Sequence, residues 1–243
     1  MERQGTQPHM FWQAFHPADD VHEAGGYRDS YPARMVDGRH FLLPIRPLDD
    51  GEHALASLII NQASFTVLDA LAEDLARRLE PFQPEVVIGL PTLGLTLAAE
   101  VARKLGHARY VPLGTSRKFW YDDTLSVPLR SITTPNLEKR LYVDPRMLPL
   151  MRGVRAVLVD DVISSGRSIL AGLQLLQALD VEPVAIGAAM LQSQRWRNSL
   201  AEWRGEWPER VCGSLFTPLL NKGPDGQWYA PSTLKHQSDT HSF

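Results

Sequence analysis

Apolar residues recur at helical or strand spacing through the centre of the chain, whereas both ends are less regular. Leucines at intervals of three and four residues predict an amphipathic helix that stops at Pro81. A continuous apolar run at residues 86–90 then predicts a buried strand, and a second helix follows from about residue 95 to residue 105, closed by Gly106. The leucines of the first helix are Leu68, Leu71, Leu75 and Leu79.

The same alternation continues towards the C-terminus. A short strand is predicted near residues 110–112, and a long polar segment separates it from an apolar strand at 156–159. A helix at 169–179 and a strand at 184–190 follow. Strands that alternate with helices predict an α/β fold with a doubly wound, mainly parallel sheet, helices on both faces and ligands at the carboxyl ends of the strands.

Changes in texture divide the chain into three regions. Residues 1–55 are rich in Pro, Gly, His and Asp and are expected to form an irregular lid or a small β-element, a possible hood. Residues 56–191 form the predicted core, and residues 192–243 form a Trp-rich extension with a polar tail. Both end regions are therefore interpreted as additions to the α/β core.

Composition limits the class of protein. The 243 residues are 44% hydrophobic, which is enough for a sizeable core, and the formal net charge of −3 gives no basic bias towards a nucleic-acid partner. The single cysteine, Cys212, excludes an intrachain disulfide and fits a reducing compartment. With no apolar segment typical of a signal peptide or a membrane span, we expect a cytoplasmic protein with no membrane partner.

The strand at 156–159 is followed by two acids and then by a turn rich in hydroxyl groups, before a helix begins. A helix N-terminus offers unpaired amides and the positive end of a dipole, so the turn is suited to a phosphate. Asp160 and Asp161 could accept hydrogen bonds from sugar hydroxyls or meet the ligand through Mg²⁺, directly or through water. The residues expected to hold the phosphate are Ser164, Ser165, Gly166, Arg167 and Ser168. The alternative is a polar turn that only caps the helix.

This stretch resembles the signature of type I phosphoribosyltransferases that binds phosphoribosyl pyrophosphate (PRPP). Serines replace the threonines of that signature and retain the hydroxyl groups, whereas Arg167 stands where the family usually has a small residue. The resemblance implies that the turn binds the 5-phosphate and that Asp160 and Asp161 address the ribose hydroxyls, with Mg²⁺ as cofactor. Arg167 either adds a phosphate contact or points to solvent.

The same resemblance implies functions for two further segments of the chain. Thr92, Leu93 and Gly94 follow the first core strand, where the family binds pyrophosphate through backbone amides; the alternative is an ordinary connection capped by Thr92. Arg117 and Lys118 lie in the long polar segment, which resembles the flexible catalytic loop, and could neutralise the departing pyrophosphate. The alternative there is a solvated charge pair beside an aromatic anchor.

The implied reaction transfers the phosphoribosyl group from PRPP to a nucleobase, with a purine expected and pyrophosphate released. Gln192 could read a base edge and Trp196 could stack on the base, although tryptophans at near-helical spacing are more often core residues. The resemblance also implies a homodimer and a place in purine salvage. A PRPP-sensing regulator without efficient turnover is the alternative, and a phosphatase-like α/β domain ranks last because no separated third carboxylate is evident.

Overall fold

The computed structural model describes residues 6–17, 26–129 and 139–231, which contain four α-helices and twelve strands. The helices are α1 (Phe65–Leu79), α2 (Gly94–Lys104), α3 (Arg167–Ala178) and α4 (Arg195–Trp203). The strands are β1 (Ser30–Arg34), β2 (His40–Pro47), β3 (His53–Ala56), β4 (Val86–Gly89), β5 (Val111–Pro112), β6 (Ser126–Leu129), β7 (Lys139–Tyr142), β8 (Ala156–Ile163), β9 (Pro183–Gln192), β10 (Val211–Thr217), β11 (Leu219–Lys222) and β12 (Trp228–Tyr229). None of the helices in these ranges is long and apolar enough to cross a membrane.

The central sheet is parallel and has the strand order β10–β9–β8–β4–β5. Helices cover both of its faces, as the alternation of strands and helices predicted. Along β8, Val157 and Val159 pack with α1 and α2, whereas Leu158 packs with α3 and α4. From β4 the chain leads outward to β5, and from β8 it leads the other way to β9. The neighbours β4 and β8 therefore form the switch point of the sheet, where ligands bind in such folds.

The predicted helices begin and end close to their predicted positions, for local reasons. Ser64 caps α1, since its Oγ accepts a hydrogen bond from the Val67 amide at 3.2 Å. Helix α2 ends at Lys104, and Gly106 follows with a φ of +78°, a left-handed conformation that glycine adopts without strain. Backbone hydrogen bonds from Gly106 and His107 to carbonyls of the last turn close this helix.

Strand β8 extends further than its apolar run predicted. The run indicated a strand that stops at Val159, but β8 continues through both acids to Ile163. The reason is tertiary, because β9 runs beside it and pairs Asp160 with Ala188 and Val162 with Met190. The two acids therefore lie within the sheet instead of in the turn after it.

Strands from residues 30–56 and from residues 219–229 meet in a second, antiparallel sheet with the order β1–β2–β3–β11–β12. Its central pairing joins β3 to β11, so residues about 165 positions apart in sequence share one sheet. Strand β10 lies within the predicted C-terminal extension, yet it forms the edge of the parallel sheet. The parallel sheet thus includes residues beyond 191, the predicted end of the core. The division of the chain into three domains stays a prediction.

The described residues of the long polar segment before β8, which exclude 130–138, form more regular structure than the sequence indicated. Strands β6 and β7 form an antiparallel ribbon, and a bridge joins Gly114 to Tyr142. Trp120 contacts the residues just after this ribbon, because its Nε1 donates to Asp144 Oδ2 at 3.2 Å and the Arg146 guanidinium lies over its ring. A hydrogen bond and a cation–π contact thus tie the start of the segment to the chain just after β7.

Candidate active site

The two acids of β8 form a pair of neighbouring carboxyl groups towards the carboxyl end of the sheet. The Asp161 amide donates to Asp160 Oδ1 at 2.9 Å, and Asp160 is buried whereas Asp161 is half-buried. Burial raises the pKa of Asp160 well above the usual range, and the adjacent Asp161 carboxylate raises it further. Burial also raises the pKa of Asp161. The pair therefore favours ligands that compensate buried negative charge, such as hydroxyl donors or a cation.

The loop after β4 lies directly against this acid pair. A Cβ atom on Gly94 would come within 2.7 Å of Asp160 Oδ1 and 2.8 Å of Asp160 Cα. Only a residue without a side chain allows so close an approach. The start of α2 and the acids of β8 thus form one site, although 66 positions separate Gly94 from Asp160 in sequence.

The turn after β8 encloses a pocket of about 90 Å³. Its lining comprises Asp160, Val162, Ile163, Ser164, Ser165, Gly166, Arg167, Ser168 and Ile169. Gly166 occupies the N-cap position of α3 with a φ of +80°, which turns the chain from the strand into the helix. Ser164 and Ser165 are half-buried, whereas Arg167 and Ser168 are exposed. The structure thus brings all five predicted phosphate residues around one pocket.

The backbone amides in the first turns of α2 and α3 have no side-chain cap among the described residues, and both helices begin at the carboxyl end of the parallel sheet. Within the described part of the chain, no side chain caps either helix, in contrast to α1 with its Ser64 cap. The first amides of a helix have no partner inside the helix. Two helix starts with open amides, on adjacent βα connections, therefore flank the acid pair and suit two separate anions.

The connection before α2 differs from an ordinary capped turn. The N-cap residue is Leu93, so the alternative in which Thr92 caps the helix is wrong. Thr92 is exposed, and the peptide between Pro91 and Thr92 is cis. The role of Thr92, Leu93 and Gly94 in binding pyrophosphate stays a prediction, consistent with their place beside Asp160.

The predicted catalytic loop residues lie outside the pocket. The Arg117 Nε contacts Asp123 Oδ1 at 2.6 Å, and both side chains are largely exposed. Lys118 is also exposed, and its carbonyl accepts the Tyr121 amide. Neither basic residue lines the pocket in this structure, so a catalytic role would require the loop to move and the Arg117–Asp123 pair to open.

Gln192 and Trp196, the predicted base-binding residues, are buried by protein contacts. The Gln192 Nε2 donates to the Ala56 carbonyl at 2.6 Å, which ties the end of β9 to β3. Trp196 is 1% exposed, and its Nε1 donates to the Ser193 carbonyl at 3.0 Å. The packing alternative is the one that the structure supports for Trp196. Base binding by Gln192 or Trp196 stays a prediction.

One basic residue beside the pocket, Arg195, was not predicted from the sequence to belong to the site. Arg195 begins α4, and its Nη2 donates to Ser164 Oγ at 3.2 Å. No motif or periodicity marks Arg195. The usable signal was its place just after β9, because the turns after neighbouring parallel strands share one edge of a sheet.

The acid pair fits a magnesium ion that is shared with a phosphorylated ligand. Among the described residues, no cluster of three or more His, Cys, Asp or Glu side chains could hold a metal alone. Mg²⁺ commonly uses one or two carboxylates and takes its other ligands from substrate phosphates and water. Asp160 and Asp161 supply such carboxylates beside the pocket.

Comparisons with known proteins agree with this geometry. The adenine phosphoribosyltransferase of Albidiferax ferrireducens is 30% identical over 148 residues, which is 59% of this chain and 67% of that protein. The transcriptional regulator GfcR of Archaeoglobus fulgidus is 32% identical over 118 residues, 48% of this chain and 51% of that protein. The chain thus aligns with about half to two thirds of the length of these relatives.

Solved structures show the same fold. The adenine phosphoribosyltransferase of Thermoanaerobacter pseudethanolicus has a TM-score of 0.54 at 17% identity, covering 72% of this chain and 95% of that one. A family model described as a phosphoribosyl transferase domain matches residues 55–211, which is more than half of the chain and includes the connections before α2 and α3 and the acid pair. The chain therefore belongs to the phosphoribosyltransferase family and has the type I fold of that family.

Proposed function

We propose that this protein transfers the 5-phosphoribosyl group of PRPP to a nucleobase, with a purine as the expected acceptor, and releases pyrophosphate. One observation carries the proposal: an acid pair, of which Asp160 is buried and Asp161 half-buried, lies between two helix starts that no described side chain caps. PRPP carries a phosphate and a pyrophosphate on opposite sides of a ribose diol. That arrangement matches two anion sites on either side of carboxylates that accept hydrogen bonds from the ribose hydroxyls.

Each part of the site has a task in this reaction. The α3 turn, with Ser164, Ser165 and Ser168, binds the 5-phosphate, and the amides at the start of α2 bind the pyrophosphate. Asp160 and Asp161 accept hydrogen bonds from the ribose hydroxyls and orient the ring. When bound, Mg²⁺ would be held by Asp160 and Asp161 and would neutralise charge on the pyrophosphate.

The chemical step is a displacement at the anomeric carbon of ribose. A ring nitrogen of the base forms the new bond to carbon, the bond from carbon to the pyrophosphate oxygen breaks, and the ring nitrogen loses its proton to solvent. Positive charge develops on the ribose in the transition state, and the Asp160–Asp161 pair stabilises it electrostatically. Arg117 and Lys118 are proposed to approach the leaving group when their loop closes.

A second candidate is a PRPP-binding regulator on the same fold. It is favoured by the similarity to a relative named as a transcriptional regulator and by the engagement of Arg117 with Asp123 outside the pocket. Such a protein would bind PRPP without releasing pyrophosphate. The predicted homodimer and cytoplasmic location apply to either candidate and stay predictions.

The decisive experiment combines calorimetry with an assay of pyrophosphate release. PRPP and Mg²⁺ are titrated into the protein, and adenine, hypoxanthine, guanine, xanthine and uracil are then supplied in turn. We expect release with at least one base, and a loss of about a hundredfold or more in Asp161→Asn, because that carboxylate charge acts in the transition state.

The matched control is Asp180→Asn, an exposed aspartate outside the site with a φ of +58°, a conformation that asparagine tolerates. This variant should retain full activity. Binding of PRPP without release for any base would favour the regulator, and the absence of PRPP binding would rule out both candidates.

A further inference from the structure

Arg195 lies beside the phosphate turn because of how the parallel sheet is built. Strands β8 and β9 are neighbours, so the turn after β9 emerges next to the turn after β8. Arg195 is the first residue of α4, directly after that second turn, and its Nη2 donates to Ser164 Oγ at 3.2 Å. Ser164 in turn lines the pocket of the phosphate turn. The Arg195 guanidinium therefore lies beside the pocket and contacts the hydroxyl group of Ser164, a residue that lines it.

The backbone that carries Arg195 is held firmly against the same turn. The next residue, Trp196, is 1% exposed, and its Cβ, Cα and carbonyl oxygen lie 3.4 to 3.5 Å from where a Cβ of Gly166 would be. The Trp196 indole donates to the Ser193 carbonyl at 3.0 Å, within the turn that leads into α4. The position of Arg195 relative to the phosphate turn is thus determined by buried packing and not by a surface contact alone.

The guanidinium of Arg195 has different contacts from those of the neighbouring arginines. Three other arginines in this region are paired with carboxylates: Arg197 with Glu209 at 3.3 Å, Arg204 with Glu182 at 2.9 Å and Arg210 with Glu182 at 3.9 Å. In the parts of the chain that the structure describes, Arg195 forms no such ion pair, and the contact of its guanidinium is with a hydroxyl group. Most of its five N–H donors thus remain for a ligand.

The contact with Ser164 sets the direction of the serine proton. A hydroxyl oxygen that accepts from a guanidinium keeps its own O–H free to donate elsewhere. With Arg195 on one side, the Ser164 hydroxyl can donate to an anion in the pocket. The guanidinium beside it attracts the same anion, because charge-assisted hydrogen bonds to phosphate are the stronger kind.

We propose that Arg195 is a ligand of the 5-phosphate, acting together with Ser164, which it orients as a donor. The proposal rests on the proposed function, since it assumes that the α3 turn holds the phosphate of a phosphoribosyl compound. It adds a residue from outside the signature, and it assigns Arg195 to the 5-phosphate and not to the pyrophosphate. Arg195 would raise affinity for any 5-phosphorylated ribose.

The test uses two probes that separate the two anion sites, ribose 5-phosphate and pyrophosphate with Mg²⁺. Each is titrated by calorimetry into the wild-type protein, Arg195→Ala, Arg195→Lys and the control Arg204→Ala, which loses only a surface ion pair. In Arg195→Ala we expect binding of ribose 5-phosphate to weaken about tenfold and that of pyrophosphate to stay unchanged. Arg195→Lys should restore part of the affinity, because charge returns without the planar fork.

A second variant checks the coupling with Ser164. In a Ser164→Ala background, removal of the arginine should cost less affinity for ribose 5-phosphate than it does in the wild type, because the two side chains act together. If the protein releases pyrophosphate, Arg195→Ala should raise the KM for PRPP with little change in kcat, since the 5-phosphate is remote from the reacting carbon.

The outcomes separate this inference from the proposed function. Unchanged affinity of Arg195→Ala for ribose 5-phosphate would overturn the inference and leave the proposed function standing. Equal weakening for both probes would also overturn it, because the arginine would then maintain the structure of both anion sites and would not bind the 5-phosphate specifically. A wild-type protein that binds neither probe would overturn the inference and the proposed function together.

Discussion

Gly94 lies against Asp160 so closely that no side chain fits between them. A Cβ at Gly94 would stand 2.7 Å from Asp160 Oδ1 and 3.2 Å from the Asp161 amide nitrogen. The contact joins the start of α2 to the acids of β8, the two neighbouring connections at the switch point of the sheet. The spacing between the two proposed anion sites therefore depends on this single glycine.

Gly94→Ala should impair the site more than it impairs the fold. A Cβ at the first residue of α2 would meet both the side chain and the backbone of Asp160, an overpacking that costs about 1–3 kcal/mol. PRPP affinity, measured by calorimetry, should fall by about tenfold or more as the acids are displaced. The control is Gly205→Ala, where a Cβ would meet nothing within 4 Å. Full PRPP affinity in Gly94→Ala would show that the close contact is not needed.

Gln192 should act as a structural tie between the two sheets. Its amide donates to the Ala56 carbonyl at 2.6 Å in a buried position, so Gln192→Leu should lower the free energy of unfolding by about 1–3 kcal/mol by leaving that carbonyl unpaired. Urea unfolding measures this loss, and Gln227→Ala, an exposed amide that contacts Asp225, is the control. An unchanged stability with an altered preference among bases would instead favour base reading.

Asp144 should stabilise the protein at neutral pH and not in acid. Hydrogen bonds from Arg146, supplemented by one from Trp120, hold the pKa of this carboxyl well below its usual range. Because its pKa is lower in the folded state, the stabilisation is present above the unfolded pKa of about 3.9 and is lost as the pH falls towards the folded pKa.

Asp144→Asn therefore tests whether the charge of this carboxylate, bonded to Arg146 and Trp120, stabilises the protein. At pH 7 it should lower the free energy of unfolding by no more than about 1 kcal/mol, since the partner guanidinium is exposed. The difference from the wild type should shrink steadily as the pH is lowered below 4, which is checked by urea unfolding at several pH values. A difference that stays constant with pH would mean that charge is not the cause.

Cys212 should be unreactive while the protein is folded. Burial raises the pKa of its thiol to about 11, and its Sγ contacts the Arg78 carbonyl at 3.6 Å. The raised pKa means that the folded state favours the neutral thiol, so this contribution to stability is complete below the unfolded pKa and is lost as the pH rises towards 11.

Labelling with iodoacetamide at pH 8 measures that protection. The native protein should react at least about a hundredfold more slowly than protein unfolded in urea, because only the thiolate reacts. Cys212→Ser gives the background, since the chain has no other cysteine. Equal rates in the folded and unfolded protein would contradict the raised pKa of this thiol.

Local pattern was sufficient for the elements of the core. Leucines at helical spacing predicted α1, the apolar run at 86–90 predicted β4, and the order of strand, acids, serines and glycine predicted both the α3 turn and the family. These features are readable because each is contained in one short stretch of chain, where periodicity and turn chemistry act without distant partners.

The sequence alone thus determined the α/β class and the order of two acids, a serine-rich turn and a helix after a buried strand. The binding of a phosphate by that turn stays a prediction. Only the tertiary structure decided that β8 continues through the acids and that β3 and β11 pair in one sheet. It also decided that Gly94 abuts Asp160 and that Arg195 adjoins Ser164. Each of these depends on pairing or packing between residues far apart in sequence. Such contacts are selected by the burial and hydrogen bonding of the whole fold, and no local stretch of residues encodes them.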